Sequence, residues 1–174
     1  MMPTVVQFGA GAIGRGFLGQ LWCEAGYETV FVDTNAALVQ VLNERGSYPL
    51  HLVTNETTDA RMIGPVRALY AADIPAILAE LKKCAFAATA VGPGLEAVIE
   101  EIFVPFLRLS KKERRSDPLT VLFCENDATA YQAFRLTLSC ECGLPNGRHG
   151  LLVCRQLWGA WSQFQHHKTS TTRF

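Results

Sequence analysis

Three glycines, Gly9, Gly11 and Gly14, stand directly between a predicted strand and a predicted helix. The strand is the β-branched run at residues 4–8, and apolar residues recur at helical spacing after the last glycine. In this setting the first glycine permits a tight turn, the second lets backbone amides approach an anion, and the third lets the helix pack against the sheet. The pattern therefore predicts a turn that holds a diphosphate at a helix N-terminus.

An acidic residue, Asp33, ends the next predicted strand, 19 residues after Gly14. A carboxylate in this place accepts hydrogen bonds from an adenosine ribose and repels a 2′-phosphate, which favours NAD over NADP. The alternative is that Asp33 only caps the following helix. For Arg15, two roles stay open: steadying a phosphate or facing solvent.

The rest of the chain continues an alternation of strands and helices. Short apolar strands are predicted at residues 29–32, 85–91 and 119–124, and helical periodicity follows each of them. Residues 48–70 have no helical period and are interpreted as an insert of two or three antiparallel strands. The order predicts an α/β fold, a doubly wound, mostly parallel sheet of the Rossmann type with a small antiparallel insert around residues 48–70.

Capping residues predict where the helices begin and end. Thr34 or Asn35 is expected to cap one helix, and Asp73 is expected to cap another. Pro105 is expected to end or kink the helix in which it lies. A further helix is predicted from about Ala128 to Ser139.

Two more segments follow the ends of predicted strands, where ligands bind in open α/β sheets. One is the turn at residues 90–94, and the other is Cys124-Glu125-Asn126. We expect both to line the nicotinamide half of the cofactor. A helix start and a helix cap would explain either segment alone.

Composition excludes several classes of protein. The 174 residues fit one domain, and 49% hydrophobic with 18% charged residues excludes disorder driven by charge repulsion. Because 16 basic residues balance 16 acidic ones, the chain lacks the basic surplus of a general nucleic-acid binder. No apolar run approaches the ~18 residues that span a membrane, and no signal peptide is recognised. We therefore expect a cytoplasmic protein with reduced cysteines.

The sequence after residue 139 has a different composition. All 16 acidic residues lie at or before Glu141 with 12 of the basic ones, so residues 1–141 carry a formal charge of −4 and residues 142–174 carry +4. The tail holds three of the four histidines, two of the three tryptophans and three cysteines. We predict no metal site there, because Cys140 and Cys142 are too close in sequence and two adjacent histidines cannot easily face one metal.

Several motifs together carry a family resemblance. They are residues 8–19, Asp33-Thr34-Asn35, residues 89–93 and Cys124-Glu125-Asn126, and the region of Ser47-Tyr48 and His51 also fits. From about residue 4 to about residue 139 the chain resembles the N-terminal half of the mannitol-1-phosphate 5-dehydrogenases, polyol-specific long-chain dehydrogenases. The resemblance implies a metal-free, NAD-dependent oxidoreductase that interconverts mannitol 1-phosphate and fructose 6-phosphate by hydride transfer. The family usually carries Asn where this chain has Ala12.

The resemblance also implies which residues bind the cofactor and which part is missing. It divides the chain into a Rossmann NAD-binding domain at residues 1–139 and an atypical basic tail at residues 140–174. Family members continue into a helical domain with the catalytic lysine, so we assign no catalytic residue and expect an inactive, truncated chain whose sugar or polyol phosphate substrate needs that domain. The candidate cofactor-binding residues are Gly9, Ala10, Gly11, Ala12, Ile13, Gly14, Arg15, Asp33, Asn35, Ala90, Val91, Gly92, Glu125 and Asn126.

Two interpretations of the tail and two other functions stay open. The tail is either out-of-frame or rearranged coding sequence, or an apolar segment that covers a sheet edge or pairs with another chain. The apolar residues in question are Leu151, Leu152, Val153, Leu157, Trp158 and Trp161. A stand-alone NAD-binding or sensing module would show the same glycine and Asp33 pattern. A methyltransferase-like domain is disfavoured by the third glycine.

Overall fold

The main sheet is parallel throughout. The structure, a computed structural model, describes residues 2–53, 58–109 and 118–125, together with residues 132, 134, 136 and 151–154. Within these ranges six strands form the sheet: β1 (Thr4–Phe8), β2 (Glu28–Asp33), β5 (Val66–Tyr70), β6 (Phe86–Thr89), β7 (Leu119–Phe123) and β8 (Leu151–Cys154). Their order is β5-β2-β1-β6-β7-β8. From β1 the chain adds β2 and β5 on one side of the sheet and then β6, β7 and β8 on the other. This is the doubly wound arrangement predicted from the sequence.

The predicted antiparallel insert is a hairpin that is shorter than the predicted range. Its strands are β3 (Tyr48–Val53) and β4 (Thr58–Ile63). The following segment, β5, belongs instead to the main sheet, where it pairs parallel with β2 and places Tyr70 beside Asp33. The alternation of buried and half-buried residues in β5 does not distinguish parallel from antiparallel pairing.

Helices connect the parallel strands. They are α1 (Gly19–Glu24), preceded by a π-helical turn at Gly14–Leu18, α2 (Ala36–Arg45), α3 (Ile74–Leu81), α4 (Leu95–Val98), a π-helical turn at Ile99–Phe103, and α5 (Val104–Arg108). Asn35 and Asp73 cap α2 and α3, because each side chain accepts a hydrogen bond from the amide three residues later. Both predicted caps are therefore present, with Asn35 rather than Thr34 at the start of α2.

The helix around Pro105 does not end there. It continues to Arg108 in α5, and the distortion lies in the preceding π-helical turn. In that turn the Val104 amide donates to the Ile99 carbonyl, one residue farther back than in an α-helix. A wider turn directly before proline accommodates a residue that has no amide hydrogen to donate. Pro105 is thus compatible with a continuous but irregular helix.

Helices cover both faces of the sheet with apolar side chains. On one face Val6, Phe8 and Phe123 belong to the cluster that includes residues of α3, α4 and α5. Phe134, one of three described helical residues in the predicted helix 128–139, is fully buried, with its ring 4.4 Å from that of Phe123. On the other face Val5 packs with Leu18 and Trp22 of the helix that follows the glycines. The first strand is therefore buried from both sides.

The described part of the tail covers one edge of the sheet. The sequence left open whether an apolar segment of the tail covers a sheet edge or pairs with another chain. In the structure, residues 151–154 pair in parallel with β7 at the edge of the main sheet. Leu157, Trp158 and Trp161 lie outside the described residues. Within the described ranges no group of three or more His, Cys, Asp and Glu side chains is arranged to hold a metal ion. Among those same residues, no helix has the length and apolar character needed to cross a membrane.

An ion-pair network joins three elements near the amino ends of the strands. Arg67 of β5 contacts Glu28 of β2 at 3.1 Å and Glu80 of α3 at 2.8 Å, and Lys83 contacts Glu80 at 3.0 Å. Burial by itself raises the pKa of Glu80, but the hydrogen bonds from Arg67 and Lys83 outweigh it and the pKa is lowered. Since the carboxylate is more acidic in the folded chain, ionisation of Glu80 stabilises the fold.

Glu80→Gln is expected to lower the free energy of unfolding at pH 7 by about 1 to 2 kcal/mol, between the values for exposed and buried ion pairs. The lowered pKa makes this stabilisation fully present above the unfolded-state pKa near 4.3 and lost as the pH falls through the folded-state pKa. Urea unfolding of both proteins at a series of pH values measures the difference. If the difference in unfolding free energy between the two proteins stays constant down to pH 2, ionisation of Glu80 does not stabilise the fold.

Candidate cofactor site

Close backbone packing explains two of the three glycines in the turn. Gly9 has a φ of +87°, and a Cβ added there would collide with the carbonyl oxygen of Ala90. A Cβ on Gly14 would collide with the carbonyl oxygen of Gly9. The turn is thus pressed between the end of β6 and its own helix, at distances that admit no methyl group.

Above Gly11 the turn is open. A Cβ added at Gly11 would meet no atom within 4 Å. The Arg15 amide donates to the Gly11 carbonyl at 2.9 Å, which marks the first backbone hydrogen bond of the helix. The preceding amides, in residues 11–14, therefore have no acceptor within the helix itself. Open space next to amides at a helix N-terminus is the geometry that a diphosphate group requires.

The carboxylate of Asp33 joins the turn to the start of α2. One oxygen accepts a hydrogen bond from the Ala10 amide at 2.8 Å, and the other accepts one from the Asn35 amide at 2.9 Å. The cap of α2 itself is the side chain of Asn35, which accepts from the Leu38 amide at 3.1 Å. Asp33 is therefore not the helix cap. Each of its oxygens has a second lone pair with which to accept a hydroxyl hydrogen.

A cavity of roughly 460 Å³ lies beside this carboxylate, within the range for small-molecule sites. Five of the residues predicted from the sequence line it: Gly9, Gly11, Asp33, Ala90 and Val91. The helical segment after β6 contributes apolar lining residues: Ala97, Val98 and Ile102. The cavity thus combines apolar side chains with the carboxylate of Asp33, as is typical of small-molecule sites.

Sequence reasoning missed three polar residues of the cavity: Thr34, Tyr70 and Glu101. Tyr70 lies at the end of β5 next to Asp33, and Glu101 lies on the π-helical turn at Ile99–Phe103. Parallel pairing of β5 with β2 brings Tyr70 to the carboxyl ends of the strands, so recognising β5 as part of the main sheet would have found it. No spacing in the sequence singles out Glu101.

Arg15 is held by the protein itself. Its Nε donates to the carbonyl oxygen of Ala10, and its guanidinium lies 6.0 Å from the centre of the Tyr48 ring. The Tyr48 hydroxyl in turn donates to the Arg15 carbonyl at 2.7 Å, and a Cβ on Gly19 would collide with that hydroxyl. Burial raises the pKa of Tyr48 strongly, against a smaller opposite effect of Arg15, so the phenol remains a donor. The hairpin thereby holds the glycine-turn helix in place.

Glu125 lies directly after β7 and reaches the turn that follows β6. Its two oxygens accept from the Val91 amide at 3.0 Å and the Gly92 amide at 2.8 Å. The two strand ends predicted to lie together are therefore in contact. Burial, assisted by the neighbouring Glu125 charge, raises the pKa of Cys124 to about 12, so this thiol is not a nucleophile at neutral pH.

The other predicted site residues that the structure describes are not among those that line the cavity. Ala10 is fully buried and Ala12 is exposed. Ile13 packs against the apolar cluster that contains Leu18 and Trp22. Asn35 is exposed and occupied with the α2 cap, as described above. Asn126 lies outside the described residues.

Comparison with known proteins assigns the chain to a family. The mannitol dehydrogenase Rossmann domain matches residues 3–141. The chain belongs to the mannitol dehydrogenase family. Its relatives in this family include three bacterial proteins named mannitol-1-phosphate 5-dehydrogenase. They are from Brevibacillus brevis (43% identical over 123 residues), Bacillus licheniformis (39% over 126) and Lactococcus lactis subsp. lactis (33% over 126).

The match covers most of this chain and a minor part of each relative. It includes 70% of the chain for the first two relatives and 72% for the third, but only 31–32% of the relatives' own lengths. The resemblance read from the motifs is thereby confirmed. The shared part is the Rossmann domain of the mannitol dehydrogenase family.

Substitution of Gly9 is expected to be far more damaging than substitution of Gly26. Both have positive φ, but a Cβ on Gly26 would meet no atom within 4 Å. Gly26→Ala should therefore cost only the backbone strain of about 1 kcal/mol. Gly9→Ala adds a collision with a backbone carbonyl, and we expect a loss of about 3 kcal/mol or more. Chemical unfolding measures both values, and equal losses would contradict the packing described here.

Proposed function

We propose that the chain binds NAD across the carboxyl ends of β1, β2 and β6. The Asp33 carboxylate is the observation that carries the proposal, because Asp33 ends β2, lines the cavity and has acceptor capacity left for ribose hydroxyls. The open space at Gly11 would take the diphosphate. The adenine would lie in this cavity, whose lining residues include Tyr70 and Val98.

The same carboxylate supports a preference for NAD over NADP. A 2′-phosphate would stand against a negative charge that already holds the Ala10 and Asn35 amides and cannot turn away without breaking both bonds. Glu101 adds a second carboxylate to the cavity wall. No basic side chain is among the described residues that line the cavity.

For the reaction, we propose that the chain is the NAD-binding part of an enzyme that interconverts mannitol 1-phosphate and fructose 6-phosphate. The names of the relatives support mannitol 1-phosphate as one substrate, and the resemblance carried by the motifs implies fructose 6-phosphate as the other. Bound NAD would supply the hydride acceptor, while the reaction also needs a group that takes up or delivers the hydroxyl proton. We assign that role to no described residue of this chain, and propose that the 174 residues bind cofactor without turning over substrate.

The proposed setting is the cytoplasm, with a sugar or polyol phosphate as the small-molecule partner. Cys23, Cys84 and Cys124 carry free thiols, which fits a reducing compartment. No observation favours a sensing module over this proposal.

Calorimetric titration should show saturable binding of NADH and at least tenfold weaker binding of NADPH. Asp33→Asn should weaken NADH binding about tenfold or more, about 1.4 kcal/mol, and reduce the discrimination against NADPH. Asp59→Asn is the matched control, since Asp59 lies on the hairpin in contact with Arg61 and away from the cavity. If Asp33→Asn retained both affinities, the ribose would not be bound by this carboxylate.

Mixing the chain with NADH and fructose 6-phosphate should give no oxidation of NADH above the uncatalysed rate, measured by absorbance at the nicotinamide band. A full-length family member provides the positive control. Steady turnover by the 174-residue chain would show that it contains the proton donor that we do not assign.

A further inference from the structure

The carboxylate of Glu125 is committed to backbone amides. Its two oxygens accept from Val91 and Gly92, and the residue is only 4% exposed. It does not line the cavity beside Asp33. A group so enclosed has little surface left for a ligand, although its sequence position after a strand end is typical of a ligand-binding residue.

The turn that Glu125 holds forms part of the proposed cofactor site. Ala90, Val91 and Gly94 line the cavity. The carbonyl oxygen of Ala90 also limits the space at Gly9, so the position of this turn bears directly on the glycine turn. A displacement at residues 90–92 would therefore alter both the cavity for the adenosine and the base of the diphosphate site.

The turn needs a fixed acceptor because its own backbone supplies none for these amides. Gly92 begins a short 3₁₀ turn, Gly92–Gly94, with φ of +58°. Amides at the start of a helical segment point away from its carbonyls. An ionised carboxylate that accepts two such hydrogen bonds makes the stronger, charge-assisted kind. A glutamine of the same shape offers one oxygen, and its amide group cannot accept from the second N–H.

We propose that Glu125 is a positioning residue for cofactor binding: it fixes the turn at residues 90–92 in the shape that receives NAD, without contacting the cofactor itself. This inference rests on the proposed NAD-binding function. In this proposal Glu125 has a different role from Asp33, whose carboxylate lines the cavity and is proposed to bind the ribose directly.

The test compares the same substitution at two buried glutamates. Glu125→Gln should weaken NADH binding about tenfold in calorimetry and speed hydrogen exchange at the Val91 and Gly92 amides, measured by NMR. Glu80→Gln is the control, because Glu80 is 7% exposed and ion-paired at the opposite ends of the strands. That variant should lose stability while its NADH affinity stays within twofold of the unmodified chain.

A second variant changes the same turn and keeps the Glu125 carboxylate. Gly92→Ala meets no atom within 4 Å but places a side chain at positive φ, which strains the turn. We expect it to weaken NADH binding severalfold, and it replaces the first variant if Glu125→Gln does not fold.

The outcomes separate the two proposals. If the unmodified chain does not bind NADH, the proposed function fails. If it binds NADH and both turn variants bind equally well, the positioning role is wrong. An equal loss of affinity in Glu80→Gln would also overturn it, because the effect would then follow from general stability rather than from the turn.

Discussion

Three stretches of backbone meet around Gly9 with no room for a methyl group. The carbonyl of Ala90 lies on one side, the helix at Gly14 lies on the other, and the Gly9 amide donates to Val32 at 2.9 Å. This meeting point joins β1, β2 and β6 at the edge where the cavity opens. The proposed diphosphate site, the ribose acceptor and the adenine cavity all take their positions from it, so the site depends on backbone packing before any side chain contributes.

Local patterns in the sequence predicted the parts of the fold that depend on local physics. The glycine turn, the helix caps at Asn35 and Asp73, and the short apolar strands were all recognisable, because each depends on residues that are close together in the sequence. The parallel pairing of β5 was not. It depends on contact with β2, more than thirty residues earlier in the chain, and an alternating five-residue strand has the same pattern in either direction.

The same limit applies to the contacts of the polar side chains in the candidate site. The sequence predicts that Arg15 and Glu125 lie at the edge of the sheet where ligands bind, but it does not show which atoms each side chain contacts. In the structure the Arg15 Nε bonds to the Ala10 carbonyl, and Glu125 bonds to two amides of the next turn. Such a residue satisfies backbone groups that the turn geometry leaves without an acceptor or donor. Tyr48, which bonds to the Arg15 carbonyl from the hairpin, acts in the same way from farther along the chain.

The central position of β1 has a consequence for synthesis of the chain. Val5 pairs with Thr29 of β2 on one side and with Phe86 of β6 on the other. Ribosomes add about 5 to 20 residues per second, so the second partner follows the first strand by roughly 4 to 16 s. Throughout that interval one edge of an apolar strand has no partner, which is the situation in which nascent chains associate with chaperones or with each other. β1 therefore gains its second partner later than β2, whose second partner, β5, ends at Tyr70.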